Sequence, residues 1–313
     1  MQNTEVRRNS LRAWMLAARP KTLSGAAVPV IIGGALAFVD SAGNPLWLPM
    51  SLCLLFAFIM QIDANFINDY FDFMKGTDDE QRLGPERACS QGWVSAAAMR
   101  KAMDFTTLLA CITGLPLILY GGWPMIIVGA ICVFFCFLYT THLSYMGLGD
   151  LLVLFFFGII PVCLTYYLSL PHPSFHNFHL SSLIFHPTII ASLACGLVID
   201  TLLVINNYRD IDNDKRTGKR TLIVKIGAER GLKLYLWLGI TACLFGLVFI
   251  FCGYIAAFFL PLCAYLPLHI TTYREMKRIK KGRELNRVLG MTARNMFVYG
   301  ISVAVGLCLS YIY

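Results

Sequence analysis

The sequence predicts an all-α, polytopic membrane protein: nine transmembrane helices around a central cavity, with the N-terminus cytoplasmic. Composition, the lengths of the apolar runs and the placement of basic residues carry that prediction. Of 313 residues, 57% are hydrophobic and 14% charged, and the mean hydropathy is +0.64. A soluble domain of average usage carries nearly twice that share of charge.

Runs near the ~20 residues needed to cross a bilayer fall at 22–39, 47–66, 103–121, 123–141, 150–170, 187–207, 232–252, 254–270 and 293–312. With the N-terminal Arg7, Arg8, Arg12, Arg19 and Lys21 inside, a nine-span chain leaves every one of its 26 Lys and Arg on the inner side. Positive residues near span ends stay cytoplasmic, and one span more or fewer would spoil the partition. The expected setting is therefore a membrane, with membrane lipid as the surround and the basic span ends on the cytoplasmic side. The net charge of +8 favours anionic headgroups or phosphorylated substrates and makes no case for nucleic acid.

The first 20 residues are polar and basic and lack a cleavable signal, so the first span is expected to act as an uncleaved one. The 11 cysteines have no paired spacing and lie almost wholly inside spans, Cys89 excepted, which reads as small core residues in a reducing context. The stretch 271–290 is too charged to cross and is expected as an amphipathic helix on the inner surface. In the outer loop 171–187, His172, His176, His179 and His186 lack an accompanying Cys or carboxylate, so a zinc site is not favoured.

Two inner loops stand apart, 68–95 and 206–230. "NDYFD" at 68–72 aligns with "NNYRD" at 206–210, an offset of 138 residues spanning four transmembrane segments. The chain thus reads as a single domain, 1–313, with a weak parallel repeat: four-helix units at about 22–141 and 150–270, then a ninth helix at 293–312. Repeat interfaces in membrane proteins are common places for a site.

Asn206, Asp210 and Asp214, spaced i, i+4, i+8, share one face of a continuing helix, with Asp212 to the side. Asn65, Asn68 and Asp72 likewise share a face, while Asp69 points elsewhere. The helix is expected to end at Gly76, with Asp78 and Asp79 beyond it. Facing carboxylate clusters repel unless a cation lies between them, and oxygen-only ligands select a hard ion such as Mg²⁺, which completes its shell with water and phosphate. A calcium loop over "DIDND" fails, because Lys215 holds the glycine position and Thr221 the position of the bidentate Glu. Lys215, Arg216, Lys219 and Arg220 beside one cluster, and Lys75, Arg82 and Arg87 beside the other, supply fixed positive charge. Carboxylates, metal and cations together describe a site for a diphosphate with a lipid tail. Asp63 and Asp200, deeper in the spans, require a wet cavity or a polar partner.

The pair "NDYFDFMKGTD" and "NNYRDIDNDKRTGKRTL" resembles the UbiA superfamily of intramembrane aromatic prenyltransferases. "RPKTL" (19–23), "RLGPERACSQGWVS" (82–95), "YTTHLSYMGLGDLLVLFFFG" (139–158) and "KRTLIVKIGAERG" (219–231) extend the resemblance, most closely to the branch acting on 1,4-dihydroxy-2-naphthoate in menaquinone synthesis. It implies that Asn68, Asp72, Asp210 and Asp214 hold Mg²⁺ against a polyprenyl diphosphate. Asp78 would stand in for the third motif Asp, whose place Gly76 occupies. Asp72, Asp210 and Lys21 are the expected catalytic residues. Lys21, Lys219 and Arg220 would contact the anion together with Asn68, Lys75, Arg82 and Asn206, and Tyr139 and Asp150 would lie near the aromatic acceptor. The implied reaction is prenyl transfer with decarboxylation, giving demethylmenaquinone. A related enzyme acting on 4-hydroxybenzoate is the nearest alternative. A transporter is the alternative of another class, disfavoured because the outer loops hold only Asp40 among acidic residues.

Overall fold

The computed structural model describes residues 6–76, 83–171 and 187–312. Asp78, Arg82 and the four loop histidines lie outside the described residues. Among those described, nine helices are long and apolar enough to cross a membrane, and no strand forms. They are α1 (Leu11–Asp40), α2 (Trp47–Lys75), α3 (Ala96–Gly121), α4 (Pro124–Met146), α5 (Gly149–Ser169), α6 (Pro187–Arg209), α7 (Ala228–Phe251), α8 (Ile255–Ile279) and α9 (Leu285–Ile312). Each predicted apolar run falls on one of these helices.

The helix ends at the basic face extend beyond the apolar runs, and that is where the site lies. α1 is interrupted where Arg19 adopts φ 53 before Pro20. A proline lacks the N–H to continue the ladder and restricts the residue before it. The elbow sets a short arm, Leu11–Ala18, capped by Ser10, ahead of the membrane-crossing part Leu23–Asp40, and Lys21 sits in the bend. α2 carries its helix through Asn68 and Asp72 to Lys75 and stops at Gly76, φ 66, as the sequence predicts. α6 is nearly continuous with a short helix, Ile211–Arg216: Asp210 N–H donates to the Asn206 carbonyl (3.1 Å) and Asp214 N–H to that of Asp210 (2.8 Å).

The surface helix expected over 271–290 does not form. α8 runs straight on to Ile279, the chain turns at Lys280 with φ 61, and α9 begins at Leu285. The reason is packing. Met276, Leu285 and Val288 are fully buried in a cluster with Ile223 and Tyr235, so the apolar positions of this charged stretch face protein rather than headgroups.

α1 and α6 are the most buried helices and α4 the most exposed. α5 crosses α6 closely at Gly158 and Gly196, where a Cβ on Gly158 would come within 2.8 Å of Gly196 Cα; small residues let helices approach in a bilayer. Asp63 has the polar partners its depth demands, accepting from Thr106 Oγ1 (2.6 Å) and Thr107 Oγ1 (2.7 Å) of α3. The cysteines are all free, but Cys111, Cys252 and Cys263 are exposed rather than in the core. Their helices turn an apolar face outward as well as inward, so run composition alone does not separate the two faces.

Contacts gather the basic segments at one end of the bundle. Asn9 N–H donates to the Trp93 carbonyl (2.7 Å), Arg220 N–H to that of Tyr145 (3.0 Å), and Lys281 pairs with Asp212 at 3.3 Å. At the other end Asp40 accepts from Tyr166 Oη (2.7 Å) and Tyr254 Oη (3.3 Å).

Candidate active site

A cavity of about 1520 Å³ extends from the basic end in between the helices. Its polar part is lined by Lys21, Asn65, Asn68 and Asp72 from one side and by Asn206, Asp210, Asp214 and Lys219 from the other. Apolar side chains such as Phe56, Met60, Phe134, Phe156 and Leu164 line the rest. The two aspartate motifs therefore face one another across a shared space.

The closing aspartate of each five-residue motif, Asp72 and Asp210, is held by an arginine. Arg87 Nη2 pairs with Asp72 Oδ2 at 2.9 Å. Arg209 grips Asp210 with two bonds, Nε to Oδ1 at 2.8 Å and Nη2 to Oδ2 at 2.6 Å, the bidentate geometry of a guanidinium on a carboxylate. Both arginines are buried. Asn68 Oδ1 accepts from Thr140 Oγ1 at 2.9 Å, and Asn65 Nδ2 donates to the Ala18 carbonyl (2.9 Å) and to Thr22 Oγ1 (3.0 Å), fixing the α1 elbow. Asp69, turned away from the cavity, accepts from the Ala88 and Cys89 N–H groups at 2.8 and 2.9 Å. It thereby anchors the loop that delivers Arg87.

The remaining predicted residues spread around this centre. Lys75 is exposed and outside the lining, its Nζ donating to the Thr141 carbonyl (2.9 Å) and lying 4.1 Å over the ring of Tyr145, which does line the cavity. Lys219 Nζ lies 5.9 Å from the centroid of the same ring. Tyr139 lines the cavity in a π-helical turn, Tyr139–Leu143; such widened turns recur at functional sites. Asp150 is set behind the wall, in a small adjoining pocket shared with Tyr139 and Lys219. Both its carboxylate oxygens are buried without a hydrogen-bond partner, as is one oxygen of Asp200. The Arg220 side chain is exposed and outside the lining.

Sequence reasoning missed Arg209, Asn207, Asn213, Asn286 and Arg294, all of which line the cavity. For Arg209 a signal existed: it replaces Phe71 of the first motif, so a charged residue ends an otherwise apolar helix inside the repeat. For Asn286 and Arg294, on α9, no spacing pointed inward.

Among the described residues, no three of His, Cys, Asp and Glu gather closely enough to hold a metal by themselves. The donor set is nonetheless right for a hard cation that takes a few carboxylates and completes its shell from substrate phosphate and water. Asn68, Asp72, Asn206, Asp210 and Asp214 offer only oxygen ligands, and Asp214 Oδ2 is buried with no hydrogen-bond partner. Burial pushes the Asp214 carboxyl up to about 6, with Lys219 opposing and Asp210 adding to the rise. A cation there would relieve that cost.

Residues 26–301 match the UbiA prenyltransferase family. The chain belongs to that family. Among curated members it is 33% identical over 252 residues to the 1,4-dihydroxy-2-naphthoate octaprenyltransferase of Escherichia coli K12, covering 77% of this chain and 78% of that protein. It is 32% identical over 305 residues to the protein of the same name from Mycobacterium tuberculosis H37Rv, covering 94% and 96%. Solved UbiA-fold structures agree on the architecture. A digeranylgeranylglyceryl phosphate synthase superposes with a TM-score of 0.60 at 18% identity, over 95% of this chain and 98% of that one. A UbiA homologue from Archaeoglobus fulgidus, bound to GPP and Mg²⁺, gives 0.59 at 16% identity, over 94% and 99%.

Proposed function

We propose that this UbiA-family chain transfers a polyprenyl group from polyprenyl diphosphate to a ring carbon of 1,4-dihydroxy-2-naphthoate, releasing the carboxylate as carbon dioxide and giving demethylmenaquinone in its quinol form. One observation carries the reading: a single cavity joins two facing aspartate motifs to a long apolar wall, matching a diphosphate head joined to a lipid tail. The acceptor follows the relatives' names.

In this reading Asn68, Asp72, Asp210 and Asp214 would hold Mg²⁺, with Asp78 as a further ligand. The bound ion would neutralise charge on the departing diphosphate. Lys21 and Lys219 bind diphosphate oxygens together with Asn206, and Lys75, Arg82 and Arg220 add positive charge that attracts the anion. The allylic C–O bond breaks and its electron pair leaves with the diphosphate. The allylic carbon then bonds to the ring, and loss of carbon dioxide restores the ring's electrons. The apolar walls keep water from the allylic cation, and Tyr139, backed by Asp150, orients the acceptor. We place the aspartate end on the cytoplasmic face of the bacterial inner membrane, supported by the gathering of basic residues at that end.

The test uses protein purified in detergent with Mg²⁺, a long prenyl diphosphate, and 1,4-dihydroxy-2-naphthoate or 4-hydroxybenzoate in parallel. A metal-dependent, decarboxylated prenyl naphthalenediol is the expected product. Product from 4-hydroxybenzoate alone would keep the mechanism and overturn the acceptor.

A further inference from the structure

Asn286 sits in the first turn of α9, 77 residues after Arg209 and 203 after Leu83, yet its side chain joins both. Its Oδ1 accepts from Arg209 Nη1 at 2.8 Å and its Nδ2 donates to the Leu83 carbonyl at 2.8 Å. The partners fix the orientation of the amide: a guanidinium can only donate and a carbonyl can only accept. A carboxamide meets both demands, whereas Asp would lose the donor and Leu both bonds.

What these two bonds hold is the aim of the aspartates. A guanidinium is planar, so fixing Nη1 fixes the plane in which Nε and Nη2 grip Asp210. Leu83 lies four residues before Arg87, in the segment that sets that arginine against Asp72. A continuous path therefore runs from Asp210 through Arg209 and Asn286 to Leu83, and along the chain to Arg87 and Asp72. Among the described residues, Asp210 and Asn286 are the groups that accept from the Arg209 guanidinium.

We propose that Asn286 is a positioning residue that couples the two aspartate motifs, aiming the Arg209 fork at Asp210 and anchoring the segment that sets Arg87 against Asp72. The metal-affinity part of the test rests on the divalent-cation reading above; the exchange part does not.

Hydrogen exchange of the metal-free protein in detergent reads the coupling directly. Asn286→Ala should raise exchange in both 83–95 and 206–216. Unchanged protection in either segment of a folded variant overturns the proposal. Mn²⁺ binding, followed by the electron paramagnetic resonance signal of the free ion, gives the second readout. Asn286→Ala should weaken it about 10-fold or more, the scale of a residue that orients metal ligands. In an Arg209→Lys background, which keeps the charge but not the fork, the same change should alter Mn²⁺ affinity less than about twofold, because coupled residues are not additive. Effects that simply multiply, or a fall in thermal midpoint with Mn²⁺ affinity intact, would reduce Asn286 to a packing role. If the wild type binds no Mn²⁺, the cation reading fails and the exchange result alone decides the coupling.

Discussion

The motifs "NDYFD" and "NNYRD" occupy facing walls of one cavity, yet they neutralise their shared aspartate differently. At the second motif the counter-ion is the preceding residue, Arg209. At the first, that position is Phe71, whose ring packs edge-on against Tyr70 at 5.2 Å, and the counter-ion arrives from Arg87, fifteen residues later. The second position differs too: Asp69 holds the Arg87 loop by two backbone bonds, whereas Asn207 opposite it lines the cavity. One motif carries its arginine; the other must hold a loop in place to bring one.

If the two aspartates are equivalent in chemistry, the comparison breaks at neither. Asp72→Asn and Asp210→Asn should each lower turnover on the order of 10²–10³-fold, the cost of removing one preorganised electrostatic contact from a transition state. Steady-state rates at saturating prenyl diphosphate check this. A large loss in only one variant would mean that a single motif carries the departing charge.

The difference in loop anchoring predicts an asymmetry one step outward. Asp69→Asn places an NH₂ group against a backbone N–H donor and should cost about 1–3 kcal/mol, the penalty for a buried unsatisfied polar group. Exchange at Ala88 and Cys89 and the thermal midpoint report it, and turnover should fall with the loss of Arg87 placement. The reciprocal change, Asn207→Asp, anchors no loop and should leave 83–95 protected.

Much of this was legible beforehand. Helical spacing told which carboxylates share a face, because i, i+4 geometry is a property of one helix. It placed Asp69 and Asp212 off the face, and the structure agrees. Charge partition told which helix ends meet. What spacing cannot report is a partner on another element. The Arg87 and Arg209 pairings, the Asn286 bridge and the retreat of Asp150 behind the wall depend on how helices dock. The continuation of α8 and α9 was hidden for the same reason: Met276 and Leu285 look like a membrane-surface stripe until Ile223 and Tyr235 cover them.

The turn after α4 packs at Gly147 on the segment that follows the second motif, and this sharpens the comparison further. Gly147 has φ +78, and a Cβ there would come within 2.5 Å of the Arg220 carbonyl and 2.8 Å of Lys225 Nζ. Lys225 in turn donates to the Met146 carbonyl at 2.7 Å. Gly147→Ala pays at least the ~1–2 kcal/mol of a left-handed conformation and must push the 219–225 segment away. The expected result is a lower thermal midpoint with a raised KM for prenyl diphosphate, because Lys219 moves with that segment.

The smallest effect belongs to Asp212, the motif aspartate that faces outward among those described. Asp212 pairs with Lys281 at 3.3 Å, but the two side chains are 69% and 75% exposed. An ion pair in water gains little, since solvent screens the attraction and both side chains lose freedom. Asp212→Asn should therefore change stability within about 0.5 kcal/mol and leave turnover and Mn²⁺ affinity unaltered, as thermal melts and kinetics would report. Because Asp212 lies between Asp210 and Asp214 in sequence, a loss of activity there would show that charge near the motif matters rather than the face it lies on. The inward-face argument for Asp72, Asp210 and Asp214 would then fall with it.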